Sequence, residues 1–248
     1  MRLFFVALQF LTRIHIVKQD SWTAEDFGRS TRFFPLVGIV LGFIYMLVAA
    51  ILFDFLPKHT AASLMLIITI AMTGGLHYDG FMDTMDGLLS ARSRERMLEI
   101  MKDSHLGAYG ALTAICLLLM QWSLLREIPS GLILIAVYIM PIIGRMAMVL
   151  VISAFPYARP QGLGKAFADM ADKKTIIMAG ITTIAAILPL GAAAIASLVA
   201  GLAIAYLFGR YTTARLGGVT GDVYGAAELL AETSVLASLM IYGQFYHL

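Results

Sequence analysis

The chain has 248 residues, of which 60% are hydrophobic and only 14% charged, and its mean hydropathy is +0.84. A soluble domain carries about a quarter charged residues, so this composition indicates an integral membrane protein and excludes an ordinary soluble enzyme. The net charge of +2 and the lack of a basic tract argue against nucleic-acid binding, and the single cysteine, Cys116, excludes an intramolecular disulfide.

The first stretch, residues 1–17, is predicted to be an interfacial helix on the membrane surface. It has no small-residue cleavage site, and Arg13 interrupts its apolar run, so it does not resemble a signal peptide. In a helix, Arg2, Gln9 and Arg13 gather on one side, while phenylalanine and leucine cover the rest. A short spanning or re-entrant segment is the alternative.

Seven apolar stretches are long enough to cross a bilayer, which takes about 20 residues per helix. They lie at 35–56, 60–78, 108–125, 131–153, 175–190, 191–209 and 226–245. The fifth and sixth come from one uncharged stretch that we divide at Pro189 and Gly191. We therefore predict an all-α, polytopic membrane helix bundle of about seven transmembrane helices (six to eight), forming a single domain over 1–248.

The connections between these stretches are strongly asymmetric in charge. Fifteen Lys and Arg residues fall before the first, or after the second, fourth and sixth stretches, whereas Lys58 and Arg126 alone fall on the other side. Positive loops stay in the cytoplasm, so we expect a multi-pass protein of the cell (inner) membrane with its N-terminus inside. The longer polar loops, 77–107, 154–174 and 210–225, then share the cytoplasmic face, where we expect the active site.

Residues 77–87, HYDGFMDTMDG, place three carboxylates at the end of an apolar stretch. On a helix, Asp79, Asp83 and Asp86 stand four and three residues apart and share one face. Such like charges repel, and burying each at the bilayer centre would cost about 2.5–3.5 kcal/mol. A divalent cation at the cytoplasmic end of the second span would hold them together, and Mg²⁺ takes one or two carboxylates plus phosphate oxygens. A solvated helix end, or an N-cap at Asp79, is the alternative without a ligand.

A second acidic group follows in TGDVYGAAELLAE, residues 220–232. We expect Asp222 in the loop and Glu228 and Glu232 at the start of the last span. Two acidic groups at one membrane face suit a two-metal or metal–diphosphate site. Arg145 lies inside the fourth span and needs a carboxylate or phosphate partner.

The segment 90–110 is predicted to be an amphipathic surface helix, with Met97 and Met101 among the apolar side chains that lie on lipid. Its cations Arg92, Arg94 and Lys102 are candidates for gripping a diphosphate, although charge pairs on a solvated helix face are the ordinary alternative.

Further candidates stand beside these groups. His105, next to Asp103, is a candidate general base, and His77 is a candidate ligand that precedes the acidic cluster. Arg159 and Lys165, in the glycine-bearing loop RPQGLGKAF, are an unspecific candidate anion contact.

Four stretches together resemble the cobalamin 5′-phosphate synthase family, also named adenosylcobinamide-GDP ribazoletransferases. The longest is GGLHYDGFMDTMDGLLSARSRERMLEIMKDSHLGAYGA, at 74–111. The others are FLTRI at 10–14, FFPLVGIVLG at 33–42 and LGGVTGDVYGAAELLAE at 216–232. The family is also distantly similar to the CDP-alcohol phosphotransferases, although here the Ala91–Arg92 pair comes one position later than in their motif.

The resemblance implies a phosphotransferase of cobalamin (vitamin B12) biosynthesis that uses Mg²⁺. It would join GDP-activated adenosylcobinamide to α-ribazole or its 5′-phosphate and release GMP. On this basis Asp79, Asp83 and Asp86 would bind one or two Mg²⁺ ions that bridge the GDP phosphates. The expected catalytic residues are Asp83, Asp222 and Glu228, with Asp222 or Glu228 as base, while Glu232 is a further candidate. The expected partners are these small molecules and the lipid bilayer. The oligomeric state stays open, and a homo-oligomer is compatible with the sequence.

Other functions remain as rivals. The nearest is a CDP-alcohol phosphotransferase-like or other Mg²⁺-dependent, aspartate-rich membrane transferase, such as a prenyl-type enzyme, which would show two similar aspartate motifs. An ion-coupled transporter would favour acids near the midplane and internal repeats, neither of which is evident. A purely structural membrane protein would not need the second acidic group.

Overall fold

The structure, a computed structural model, describes residues 2–18 and 22–246, so Met1 of the predicted interfacial segment lies outside the described residues. Nearly all of the described chain is α-helical. The helices are α1 (Arg2–Leu11), α2 (Ala24–Ser30), α3 (Phe34–Phe55), α4 (Lys58–Thr73), α5 (Leu76–Leu89), α6 (Arg94–Ile100), α7 (Ala108–Glu127), α8 (Ser130–Ala154), α9 (Leu163–Met170), α10 (Lys173–Ile187), α11 (Ala192–Leu216) and α12 (Gly221–Phe245). Short 3₁₀ turns at Thr31–Phe33 and Leu188–Leu190 precede α3 and follow α10.

The predicted multi-pass helical fold is confirmed. Within the described ranges, six helical segments are long and apolar enough to cross a membrane, and the bent pair α4 and α5 makes a seventh when counted as one broken span. Large apolar side chains stand exposed on the outer helices, including Phe43, Ile51, Leu112 and Ile181. Such a surface suits contact with lipid chains.

Helix α8 lies at the centre of the bundle. Most of its residues are buried, and it packs against α3, α10, α11 and α12. Ile139, Ile142 and Ile143 are fully enclosed and form part of one continuous apolar core. A helix that is apolar all round fits this central position.

The second predicted span, 60–78, is wrong as a single helix. The chain breaks at Gly74 and Gly75, which both adopt positive φ values of 64° and 73°, and α5 leaves α4 at 91°. Glycine adopts this left-handed backbone without steric cost, and here it ends α4 with the Gly75 amide donating to the Ile70 carbonyl at 2.9 Å. The three aspartates therefore lie on a helix of their own.

The third, fourth and fifth spans lie close to their predicted boundaries, whereas the sixth continues to Leu216, past its predicted end at 209. Pro189 and Gly191 divide the long apolar stretch as expected, with Gly191 at φ +86° between the 3₁₀ turn and α11. The last helix begins earlier than predicted, at Gly221. Asp222 therefore lies in the first turn of α12 and not in a loop, because Thr220 caps the helix by accepting a hydrogen bond from the Val223 amide.

Two amphipathic segments pack more tightly on the protein than predicted. In α1, which is shorter than 1–17, Val6, Ala7, Leu8 and Leu11 are buried, and the helix packs against α2 and α3. The predicted surface helix over 90–110 is reduced to α6. The expectation that Met97 and Met101 lie on lipid is wrong, since both side chains are buried and Gly87 of α5 leaves the space that Met101 fills.

Candidate active site

The three aspartates of helix α5 differ in their exposure to solvent. Asp79 is exposed, Asp83 is half-buried and Asp86 is buried. Asp83 lies close enough to the carboxylates of Asp79, Asp86 and Asp222 for their charges to interact. The predicted shared face is thus present, and α12 adds a fourth carboxylate to it.

The innermost of these carboxylates, Asp86, holds the start of α7. Its Oδ2 accepts a hydrogen bond from the Gly107 amide and its Oδ1 one from the Gly110 amide, both at 2.8 Å. The first amides of a helix have no partners within the helix, so a carboxylate there is favourable. Glycine suits both positions, because a Cβ at either one would clash with the Asp86 carboxylate, and at Gly110 it would also lie 2.7 Å from the Met82 carbonyl oxygen. Asp86 therefore has a structural role, and its predicted metal role remains a prediction.

Helix α12 runs antiparallel to α5 and brings Asp222 beside the cluster. Gly80 faces the Asp222 backbone and Gly225 faces His77, and a Cβ at Gly80 would lie 2.9 Å from the Asp222 carbonyl oxygen. The missing side chain of Gly80 thus allows the two helices to touch where the carboxylates gather. The predicted meeting of the two acidic groups is correct for Asp222.

A guanidinium group balances part of this negative charge. Arg159 Nη2 lies 3.0 Å from Asp222 Oδ2, and the same group donates to the Met101 carbonyl at 3.3 Å. Thr220 Oγ1 donates to Asp222 Oδ2 at 3.1 Å. Arg159 also lies within electrostatic reach of Asp83. The arginine therefore ties the loop after α8 to the end of α6 and the start of α12.

Backbone hydrogen bonds fix the loop that carries Arg159. The Ala158 amide donates to the Val219 carbonyl and the Val219 amide donates to the Pro156 carbonyl, each at 2.8 Å. This bridge between Tyr157 and Val219 joins the loops that precede α9 and α12. The sequence singled out Arg159 only as an unspecific anion contact, because nothing in its local pattern indicates this pairing.

A cavity of about 250 Å³ opens between α1, α5, α8, α9 and α12. Asp79, Asp222 and Arg159 line it on the polar side. The rest of its wall includes aromatic and aliphatic side chains that the sequence did not single out: Phe10, Leu76, Met148, Tyr157, Phe167 and Tyr224. Most of them lie in separate helices and are brought together only by folding.

The remaining acidic candidates form a separate buried cluster. Arg145 Nη1 lies 2.6 Å from Oε1 of both Glu228 and Glu232, which supplies the partner that Arg145 was expected to need. Its Nη2 lies 3.4 Å from His77 Nε2. Glu228 and Glu232 face a small cavity of about 20 Å³ and do not line the larger one, while His77 lines both. The assignment of Glu228 and Glu232 to catalysis remains a prediction.

The predicted phosphate-binding cations lie outside the cavity wall. Arg92, Arg94 and Lys102 are exposed, and the guanidinium of Arg94 covers Gly217 at the end of α11. Ala91, just before Arg92, has a positive φ of 51°, which turns the chain sharply out of α5. Among the described residues, no contact assigns Arg92, Arg94 or Lys102 a ligand.

His105 and Asp103 are fully exposed and bind each other, with His105 Nδ1 at 2.6 Å from Asp103 Oδ1. The hydrogen bond that the imidazole donates to Asp103 raises the pKa of His105 and lowers the pKa of the Asp103 carboxyl. The pair stands apart from the cavity lining.

The donors around α5 suit the predicted magnesium only in part. Within residues 2–18 and 22–246, no three His, Cys, Asp or Glu side chains converge closely enough to hold a metal alone. Asp79 and Asp83 nevertheless supply the hard oxygen donors that Mg²⁺ prefers, and Mg²⁺ commonly binds through one or two carboxylates with the substrate's phosphates completing its shell. The residues therefore fit an ion that arrives with a diphosphate, and not a preformed protein cage.

Comparison with known proteins gives one consistent family. Residues 3–240 match the family model described as cobalamin-5-phosphate synthase. The adenosylcobinamide-GDP ribazoletransferase of Desulfitobacterium hafniense (strain Y51) is 41% identical over 238 residues, or 94% of each chain. Its counterpart in Acetivibrio thermocellus is 35% identical over 94% of this chain and 95% of that one. The Escherichia coli enzyme of the same name is 36% identical over 96% of this chain and 99% of that one.

No solved structure matches the chain, so the distant similarity to CDP-alcohol phosphotransferases remains a prediction. The family match spans every helix that builds the acidic cluster and its cavity. The chain belongs to the cobalamin-5-phosphate synthase family.

Proposed function

We propose that this chain transfers the adenosylcobinamide phosphoryl group of adenosylcobinamide-GDP to α-ribazole or α-ribazole 5′-phosphate. The products are adenosylcobalamin, or its 5′-phosphate, and GMP. The observation that carries the proposal is a cavity lined by Asp79, Asp222 and Arg159. The relatives of the chain are named adenosylcobinamide-GDP ribazoletransferases, which indicates the substrates.

In the proposed reaction a ribose hydroxyl of ribazole attacks the phosphorus on the corrinoid side of the diphosphate. A new P–O bond forms, the P–O bond to GMP breaks, and the hydroxyl proton passes to a carboxylate. Asp222 is the proposed acceptor of this proton, and two observations support it: Asp222 lines the cavity, and Arg159 and Thr220 orient its carboxylate. Positioning and charge stabilisation carry most of the catalysis in phosphoryl transfer.

Asp79 and Asp83 are the proposed Mg²⁺ ligands, together with oxygens of the diphosphate. Mg²⁺ bound there would neutralise charge on the bridging and leaving oxygens. Arg159 adds a positive charge at the same edge of the cavity. Arg92, Arg94 and Lys102 are exposed cations that follow α5 in the chain, and they are proposed to contact the phosphates of the nucleotide as it enters and leaves.

The orientation of the protein in the membrane is proposed from the distribution of Lys and Arg among its loops. The loops that carry Arg92 and Arg159 lie on the side that receives fifteen of the seventeen loop cations, which indicates the cytoplasm. The active site would then face the cytoplasm from the inner membrane, with the N-terminus inside, where nucleotide substrates are available.

The test is GMP release by the purified protein in lipid nanodiscs, supplied with adenosylcobinamide-GDP, α-ribazole 5′-phosphate and Mg²⁺. We expect release to require both substrates and to stop with EDTA. Asp83→Asn should lower turnover by at least about a hundredfold, because it removes charge where the transition state needs it. Asp54→Asn, at an exposed aspartate near the end of α3, is the matched control and should leave turnover unchanged.

Two outcomes would contradict the proposal. Activity on a CDP-linked lipid without any GMP release would favour the CDP-alcohol phosphotransferase reading. Full turnover by Asp83→Asn would contradict the assignment of Asp83 as a metal ligand, although it would not contradict the proposed reaction.

A further inference from the structure

We propose that the 250 Å³ cavity binds the benzimidazole base of the ribazole substrate, an inference that rests on the proposed function. The cavity lining combines two chemical kinds of side chain. Phe10, Leu76, Met148, Leu163 and Phe167 are apolar, whereas Asp79, Asp222 and Arg159 are charged. A ligand that is apolar at one end and carries a hydroxylated sugar at the other matches this division.

The aromatic side chains of this lining pack closely. Phe167 is 3% exposed, and its ring lies 5.3 Å from that of Phe10 and 5.6 Å from that of Phe34. The contact with Phe34 is edge-on, at 69° between the ring planes, which is a favourable geometry for an aromatic pair. A flat bicyclic base would contact such a wall over much of its surface without reorganising it.

The two proposed substrates offer three ring systems: the corrin, guanine and benzimidazole. The size and polarity of the cavity favour benzimidazole over the other two. A corrin ring is far larger than 250 Å³ and must remain outside. Guanine carries hydrogen-bonding groups on several edges, and the phenylalanine, leucine and methionine side chains of the lining offer those groups no partners. Benzimidazole has few polar atoms, so burying it against phenylalanine and leucine leaves few groups unsatisfied.

The same placement explains how the hydroxyl reaches its partner. With the base against Phe167, the ribose extends toward the edge where Asp79 and Asp222 line the cavity. Its hydroxyl then lies beside the carboxylate proposed to take its proton. The cavity would therefore both select α-ribazole as the acceptor and orient its ribose hydroxyl for the reaction.

The experiment measures binding of α-ribazole to the full chain in nanodiscs by equilibrium dialysis, without the second substrate. Phe167→Leu should raise the Kd for α-ribazole about tenfold, because an aromatic contact contributes roughly this factor. Phe53→Leu is the matched control, since Phe53 is half-buried beside a separate cavity formed by α3 and α8, and it should leave the Kd unchanged. Leu163→Ala changes the cavity wall at a residue that is 45% exposed, so it tests the same site at small risk to folding.

Steady-state kinetics give the second readout. Phe167→Leu and Leu163→Ala should raise the KM for α-ribazole and leave the KM for adenosylcobinamide-GDP unchanged, which also shows that the variants are folded. Weakened binding of GMP in place of α-ribazole would assign the cavity to guanine and overturn the inference. Unchanged constants for both substrates would overturn it as well, while active wild-type protein would still support the proposed function. If the wild type neither binds α-ribazole nor releases GMP, the proposed function itself is wrong.

Discussion

Arg145 of α8 donates a 2.6 Å hydrogen bond to Glu232 of α12 in the interior of the bundle. Glu228 lies equally close to the same guanidinium nitrogen, and all three side chains are buried. Charges are costly in such surroundings unless they are paired, so the cluster joins the two most central helices. His77, at the start of α5, touches this cluster and connects it to the acidic helix.

Replacing Arg145 by Met should destabilise the protein by about 3–5 kcal/mol, because it leaves two carboxylates buried without a cation. Thermal unfolding in detergent, followed by the loss of helical circular dichroism, measures the change. The triple variant Arg145→Met, Glu228→Gln, Glu232→Gln removes the unpaired charges as well and should recover part of the loss. Equal melting temperatures for wild type and Arg145→Met would show that the cluster adds no stability.

Asp86→Ala should lower stability by about 1–2 kcal/mol, because the first amides of α7 lose their acceptor. Asp86→Asn keeps one oxygen acceptor and should lose less stability, and we expect its turnover to fall much less than that of Asp83→Asn. Chemical unfolding and GMP release, measured on the same preparations, separate the two effects. Equal inactivation of Asp86→Asn and Asp83→Asn, with unchanged stability, would instead assign Asp86 to the metal.

Gly80→Ala should inactivate the enzyme by separating α5 from α12. The added Cβ would lie 2.9 Å from the Asp222 carbonyl oxygen and 3.0 Å from its Cα, and backbone atoms cannot move aside as a flexible side chain can. GMP release should fall by at least about tenfold, as expected for a small misplacement of catalytic groups. Gly180→Ala on α10 is the control, because nothing lies within 4 Å of its added Cβ. Normal activity in Gly80→Ala would mean that this helix contact does not position Asp222.

His105→Ala should leave turnover within about twofold of wild type, as is usual for surface substitutions away from a site. Hydrogen bonding to Asp103 raises the pKa of His105, so the ring is protonated at low pH and loses its proton as the pH rises through this raised value. Both side chains are exposed and do not line the cavity, so the pH profile of GMP release should be the same in His105→Ala and wild type. A missing inflection in the variant would identify His105 as the general base after all.

The spans were predictable from sequence because each depends on a local count of apolar residues. The aspartates on α5 were predictable as one face because helical spacing alone brings Asp79 and Asp83 together. Arg145 was predictable as a paired residue because an isolated charge in an apolar span is unfavourable. These properties depend on neighbours in the chain.

Other features depend on contacts between distant segments and could not be predicted. The break at Gly74 lies within an apolar run that reads as one span until its positive φ is seen. Arg159 gains its role only when the Tyr157–Val219 bridge brings it to Asp222. Glu228 shares a sequence motif with Asp222, yet it faces Arg145 and does not line the cavity. Phe10 and Phe167 meet although the whole first half of the bundle separates them along the chain.

The position of α5 depends on contacts with three other helices, α7, α8 and α12. His77 at its beginning, Gly80 in its first turns and Asp86 near its end are each fixed to a different neighbouring element. These three contacts hold α5, and with it the aspartates, in one position. A change in any of these three neighbouring elements would therefore shift the carboxylates that α5 carries.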